Sequence, residues 1–215
     1  MVSELQKRII TSILLLSLLT MMFFYTFVLI ISLVIIATIA WIEFYFLISK
    51  IFNKKNYKHK FLRLLSKALS LAYLSMLVYL ILINTSNLPD QNIYFFYSIL
   101  VSIVSDVGGL IFGKTFKGKK LTKISPNKTI SGSLGSFIFS ILLVPFFINF
   151  FINFEILDFV VITLIISITS QFGDLFISYI KRNANVKDTS NLLPGHGGIL
   201  DRIDGIIFAI PIGFL

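Results

Sequence analysis

Cysteine is absent from the 215 residues, which excludes disulfide scaffolds, cysteine-ligated zinc, iron–sulfur clusters and thiol catalysis. Charge is scarce: Asp, Glu, Lys and Arg make up 13% of the chain, about half the ~25% of a soluble domain. Acids are the scarcer sign, 10 against 19 Lys and Arg, for a net charge of +9. There are two histidines, too few and too far apart for a His-based metal site. The space is filled by apolar side chains: 56% hydrophobic, 23 Phe, and a mean hydropathy of +0.92. A soluble globular domain is excluded. A chain so rich in Phe and poor in charge does not resemble a nucleic-acid binder either. In a membrane protein the positive charge matters through where it sits.

Residues 9–48 form a nearly unbroken apolar run, roughly twice the ~20 residues of one bilayer crossing. It reads as two helices with a tight turn near Tyr25–Thr26. It is too long for a signal peptide, and no small-residue cleavage site follows a short apolar core. Further spans are expected at about 64–83, 93–113, 130–152, 157–180 and 201–215. The fold expected is all-α and polytopic, with about seven transmembrane helices. Every Lys and Arg falls in four segments: 7–8, 49–67, 114–128 and 181–202. The intervening connections, 84–92 and 153–157, hold none, and carry Asp90 and Glu155. Seven crossings put all four basic segments on one side. The positive-inside rule makes that side, and the N-terminus, cytoplasmic, with the C-terminus outside. Residues 1–92 are expected to be structural and lipid-facing, and 93–215 to form a catalytic region.

Some residues fit poorly in hydrocarbon. An ionised carboxylate at the bilayer centre costs about 2.5–3.5 kcal/mol on insertion scales, so Asp106, Asp174 and Asp201 each require a partner, a cavity or a cation. Thr163, Ser167, Ser170, Gln171, Asp174, Ser178 and Lys181 recur at helical spacing and share one face. That stripe either lines a hydrated cleft or, for its hydroxyls, is ordinary membrane-helix packing. Ser98, Ser102, Ser105, Asp106, Gly109 and Gly113 repeat the pattern more weakly, with the glycines allowing close helix approach. Glu43 reads as interfacial. Ser125-Pro126 suits a helix start, with Ser125 as N-cap. The same free N–H groups beside Lys128 and Thr129 also suit an anion.

The segment 194–204 is the most informative. Pro194-Gly195-His196-Gly197-Gly198 is a loop whose glycines let backbone amides approach a ligand. It opens onto a helix carrying Asp201 and Asp204, three residues apart and so on one face. Lys181, Arg182, Lys187 and Arg202 converge on the same stretch. Cations and amides suit phosphate, and carboxylates facing them suit a divalent metal with oxygen ligands. A phosphate substrate held through Mg²⁺ uses both.

Residues 178–188, then Pro194 through Asp204, resemble the signature of the phosphatidate cytidylyltransferase (CDP-diacylglycerol synthase) family. Gly173-Asp174-Leu175, Asp106 through Lys114, and Ile124 through Thr129 are similar to further family elements, and Leu5–Thr11 with Trp41–Glu43 to its first hairpin. Ser131 and Ile177 stand where the family has Glu, Asn185 where it has Gly, and Leu110 where it has Tyr. The resemblance implies CTP plus phosphatidate giving CDP-diacylglycerol plus pyrophosphate, with Mg²⁺ and room for a second cation. It implies Asp174 and Asp201 as metal ligands, with Asp204 as an occasional ligand or a residue that supports them. Because the segment between Asp174 and Asp201 leaves and returns at one face, the two are expected to share a cation. Lys181, Arg182 and Lys187 are implied as catalytic cations. Ser125, Lys128, Thr129, Ser178, Gly195, His196, Gly197, Gly198 and Arg202 are implied as substrate-binding. The setting implied is a bacterial cytoplasmic (inner) membrane with the site facing the cytoplasm, lipid entering from the inner leaflet, no nucleic acid, and a homodimer by resemblance alone. Two other functions are weighed against this one: a related enzyme on an isoprenoid or ether lipid (polyprenol kinase or CDP-archaeol synthase), and a cation-coupled transporter. The glycine loop and the crowding of cations at one face argue against the transporter.

Overall fold

The structure is a computed structural model and describes residues 4–53, 56–87, 92–122, 124–126, 128–151 and 155–214. Lys54, Lys55, Asp90, Lys123, Asn127 and Leu215 lie outside the described residues. Among the described residues the backbone is helical, with two isolated bridges and no strand.

The long apolar run divides where expected. α1 (Glu4–Phe24) and α2 (Thr26–Ile51) are separated by Tyr25 alone, in extended conformation at φ −125°. α3 (Tyr57–Asn87) begins seven residues before the expected span. Lys58, Lys60, Arg63 and Lys67 therefore ride on its first turns rather than in a loop. Lys67 Nζ sits 3.1 Å from the centre of the Tyr45 ring, a cation–π contact. α4 (Asn92–Phe116) follows. The expected helix 130–152 is interrupted. α5 (Ile130–Ile141) stops four residues before Pro145, and α6 (Val144–Phe147) and a 3₁₀ turn (Ile148–Phe150) complete it. Pro145 lacks an N–H, and its ring crowds the carbonyl of Ile141. α7 (Ile156–Asn183) is continuous. The expected span 201–215 is also broken, into α8 (Leu200–Ile203) and α9 (Ile206–Gly213), at Asp204-Gly205, a turn-forming pair. α9 is about 12 Å long, well short of a ~30 Å hydrocarbon core.

Six helices among the described residues are long and apolar enough to cross a membrane. The protein is an all-α, polytopic integral membrane protein. It forms two compact units, each discontinuous in sequence: residues 1–83 with 180–203, and residues 84–179 with 204–215.

The second unit is centred on Tyr97, which is 2% exposed and stacks on Phe159 at 5.0 Å between ring centres, with Phe151 at 5.2 Å. α4 and α5 meet through glycines. A Cβ on Gly108 would stand 2.6 Å from the Gly135 carbonyl, so the backbones touch as small-residue membrane packing allows. Most hydroxyls of the two polar stripes serve this packing. Tyr97 and Thr163 share a hydrogen bond of 2.6 Å, Ser105 and Ser167 one of 2.9 Å, and Ser136 donates to the Ser105 carbonyl at 2.7 Å. The α7 stripe is therefore dry from Thr163 to Ser170, all 1% exposed or less at Thr163, Ser167 and Ser170, and reaches a cavity only from Gln171 onward.

Candidate active site

In the second unit a cavity of about 660 Å³ is lined by Asp106, Lys114, Ser125, Lys128, Thr129 and Asp174, among others. Lys128 and Asp174 form an ion pair. Ser178 donates to the other Asp174 oxygen at 3.3 Å. Ser125 is not the N-cap of α5. That role falls to Thr129, extended at φ −118°, whose hydroxyl accepts from the Gly132 N–H at 3.0 Å. The chain before it is tied down by an antiparallel bridge between Lys120 and Thr129, and Ser125 instead accepts from the Lys128 N–H in a turn at 3.0 Å. The cavity thus gathers two carboxylates, two lysines and several hydroxyls. Leu110, where the resembling family has Tyr, lines it as well, and Ile177, where it has Glu, is buried.

Asp204 also belongs to this unit. Because α8 ends at Ile203, Asp204 does not share a helical face with Asp201. It is 9% exposed, accepts from the Gly205 N–H at 2.9 Å, and its turn packs on Gly173 of α7.

In the first unit, the end of α7 leads into the glycine loop. Asn185 has φ +54°, the Val186 N–H reaches the Lys181 carbonyl, and the Asn185 N–H reaches the Arg182 carbonyl, both at 3.0 Å. This is a Schellman-type helix end, and Asn replaces Gly there because it tolerates the left-handed conformation. Asp201 is almost wholly enclosed, its side chain 4% exposed. One oxygen accepts from Lys181 Nζ at 2.7 Å. The other accepts from the N–H groups of Thr189 (2.8 Å) and Gly198 (2.9 Å) and lies 2.9 Å from the Thr189 hydroxyl. Burial pushes the Asp201 carboxyl up, but Lys181 and the Gly198 and Thr189 N–H groups outweigh it and hold it below its ordinary value.

The loop is held closed from within. His196 and Gly197 N–H groups both bond the Leu193 carbonyl, and Gly198 N–H is committed to Asp201. Arg202 sends Nε and one Nη to the His196 carbonyl at 3.0 and 2.7 Å. Gly195 and Gly197 take φ of +75° and +84°, which glycine alone adopts without cost. Arg182 and Lys187 are exposed and have no ion pair among the described residues.

Glu43 is enclosed by the protein, 4% exposed, and it accepts from the Thr189 hydroxyl (2.9 Å), the Ser190 hydroxyl (2.6 Å) and the N–H groups of Ile199 (3.1 Å) and Leu200 (2.8 Å). The sequence held the signal. A carboxylate deep in an apolar run demands donors as Asp174 does, and Thr189-Ser190 supply two hydroxyls. Their meeting across 146 residues of sequence is tertiary.

Residues 2–215 match the cytidylyltransferase family. The chain is similar to the phosphatidate cytidylyltransferase of Staphylococcus haemolyticus, 44% identical over 124 residues, covering 55% of this chain and 46% of that one. It is also similar to the proteins of that name from Bacillus subtilis, 39% identical over 132 residues (60% and 49%), and Rickettsia prowazekii, 39% over 149 residues (66% and 63%). The chain spans about half to two thirds of the length of these curated relatives.

Proposed function

Because the chain belongs to the cytidylyltransferase family, we propose that it transfers the cytidylyl group of CTP to phosphatidate, giving CDP-diacylglycerol and pyrophosphate. The observation that carries this reading is the lysine–carboxylate pairing repeated at two family motifs: Lys128–Asp174 in the cavity, and Lys181–Asp201 beneath the glycine loop. The phosphate monoester of phosphatidate is largely dianionic near neutral pH and is itself the nucleophile. It attacks the α-phosphorus of CTP as the bond to the bridging α–β oxygen breaks, and pyrophosphate leaves with that electron pair. No general base is required. The work left to the protein is to hold two anions together and neutralise charge.

Lys128 and Thr129, with Ser125, line the cavity and would hold phosphate. Lys181 anchors Asp201, and Arg182 and Lys187, which have no ion pair among the described residues, are available to triphosphate. The donor chemistry suits Mg²⁺. Among the described residues no three acidic or histidine side chains form a metal cage, but Mg²⁺ characteristically takes one or two carboxylates and completes its shell with waters and substrate phosphates. Asp174, in the cavity of the second unit, and Asp201, beneath the glycine loop of the first, are each a carboxylate that would offer such a cation an oxygen. Asp204, turned onto its own helix start, is a weaker ligand. A bound cation would supply neutralisation of phosphate charge. The site faces the cytoplasm of a bacterial inner membrane, with lipid arriving from the inner leaflet.

The test is a substrate panel. Purified protein with CTP and Mg²⁺ should act on phosphatidate in preference to an archaeal ether-lipid phosphate or a polyprenol. Preference for either of those would replace this reading with the corresponding alternative.

A further inference from the structure

We infer that Glu43, a buried carboxylate on α2, is a positioning residue for the reaction: through Thr189 it fixes the loop that presents Asp201. The turnover part of this inference rests on the reaction proposed above.

The argument is one of hydrogen-bond bookkeeping within the first unit. The four donors on Glu43 all come from two short stretches, Thr189-Ser190 and Ile199-Leu200. These stretches bracket the glycine loop and lead directly into Asp201. The Ile199 and Leu200 N–H groups are at the start of α8, whose amides have no intrahelical acceptor, so Glu43 serves as a cap supplied from another helix. Thr189 is the link between the two carboxylates. Its hydroxyl lies 2.9 Å from Glu43 Oε2 and 2.9 Å from Asp201 Oδ2, and its N–H donates to Asp201 Oδ2 at 2.8 Å. A hydroxyl has one proton, so it donates to one carboxylate at a time. Gly198 confirms how tightly the parts fit: a Cβ there would stand 2.6 Å from both Glu43 oxygens. The hydrogen bonds to Glu43 come from residues that flank the glycine turn, so its effect reaches the site by placing Asp201.

A glutamine at this position keeps the shape but has one acceptor oxygen and an NH₂ that faces donors, so it must lose part of the set. Three variants are made in the full-length protein: Glu43→Gln, Thr189→Val and Thr189→Ser. Hydrogen exchange of residues 189–200 and steady-state kinetics on CTP and phosphatidate are both measured. Glu43→Gln should speed exchange of the Ile199 and Leu200 amides and lower kcat about tenfold or more, the usual effect of removing a residue that orients a site carboxylate. The KM for CTP should stay within about twofold, since Glu43 makes no substrate contact. Thr189→Ser should behave as wild type and Thr189→Val should reproduce the kcat loss. The double variant Glu43→Gln/Thr189→Val should be no worse than either single change. Unchanged exchange, faster exchange with normal kcat, or equal losses in Thr189→Ser and Thr189→Val would each overturn the inference. If wild type itself fails to turn over, the proposed reaction falls, while the exchange of Glu43→Gln still decides whether Glu43 holds the loop.

Discussion

Lys128 and Lys58 carry the same charge in different settings. Lys128 pairs with Asp174 in the cavity, whereas Lys58 is exposed on the first turn of α3, where a cation meets anionic lipid headgroups. Lys128→Ala should reduce turnover about a hundredfold or more. Changing Lys54, Lys55 and Lys58 together should leave it largely intact. Equal losses would mean that the wrong cations have been placed in the chemistry. The depressed Asp201 carboxyl gives a second expectation at this scale. A group whose pKa is lower in the folded state contributes stability above its ordinary pKa, and that contribution is lost as pH falls through the folded value. Protection of the Gly198 amide from exchange should hold from neutral pH down to about 4, near the ordinary Asp value, and fail only below it. In Asp201→Asn the acid transition should vanish. Loss of protection already at pH 6 in the wild type would contradict the assignment of Lys181 and the loop amides as its partners.

Among elements, the long helices were legible because apolar runs and bilayer thickness leave little choice of length. The single-residue break at Tyr25 followed from that arithmetic alone. The breaks at Pro145 and Gly205 did not: the first lies inside an apolar stretch, and the acids before the second read equally well as the first turn of a continuous helix. Pro145 gave a local warning. Gly205 needed the tertiary fact that a Cβ there would stand 2.5 Å from Ser170 Oγ. α5 begins at the expected residue 130, but its cap is Thr129 rather than Ser125; both are competent caps, and the Lys120–Thr129 bridge accompanies the choice. The end of α7 supplies a test. Asn185→Gly should leave stability unchanged or slightly higher. Asn185→Val should cost roughly 1–2 kcal/mol, the penalty for a β-branched residue in the left-handed region, read as a lower unfolding midpoint in detergent. Equal midpoints would show that the Schellman-type end does not limit stability.

Across the whole molecule, every Lys and Arg lies at or before Arg202, ahead of α9, so the sidedness argument does not depend on a seventh crossing. Reporter fusions at 55 and 120 should read cytoplasmic, and those at 88 and 155 external. A cytoplasmic signal at 88 or 155 would break the topology. The candidate site was legible as a list of residues, because carboxylates, lysines and a glycine loop stand out against 56% hydrophobic sequence. Its wiring was not. Which lysine pairs with which aspartate, and that Glu43 holds the loop, depend on contacts between segments far apart in sequence. The central claim is cytidylyl transfer, and the position of the label in CTP tests it most directly. With purified protein, phosphatidate and Mg²⁺, CTP radiolabelled at the α-phosphorus should label the lipid, while CTP labelled at the γ-phosphorus should label only pyrophosphate. Label from the γ-position appearing in lipid would mean kinase chemistry, and no lipid label from either would mean that the chain does not catalyse the transfer.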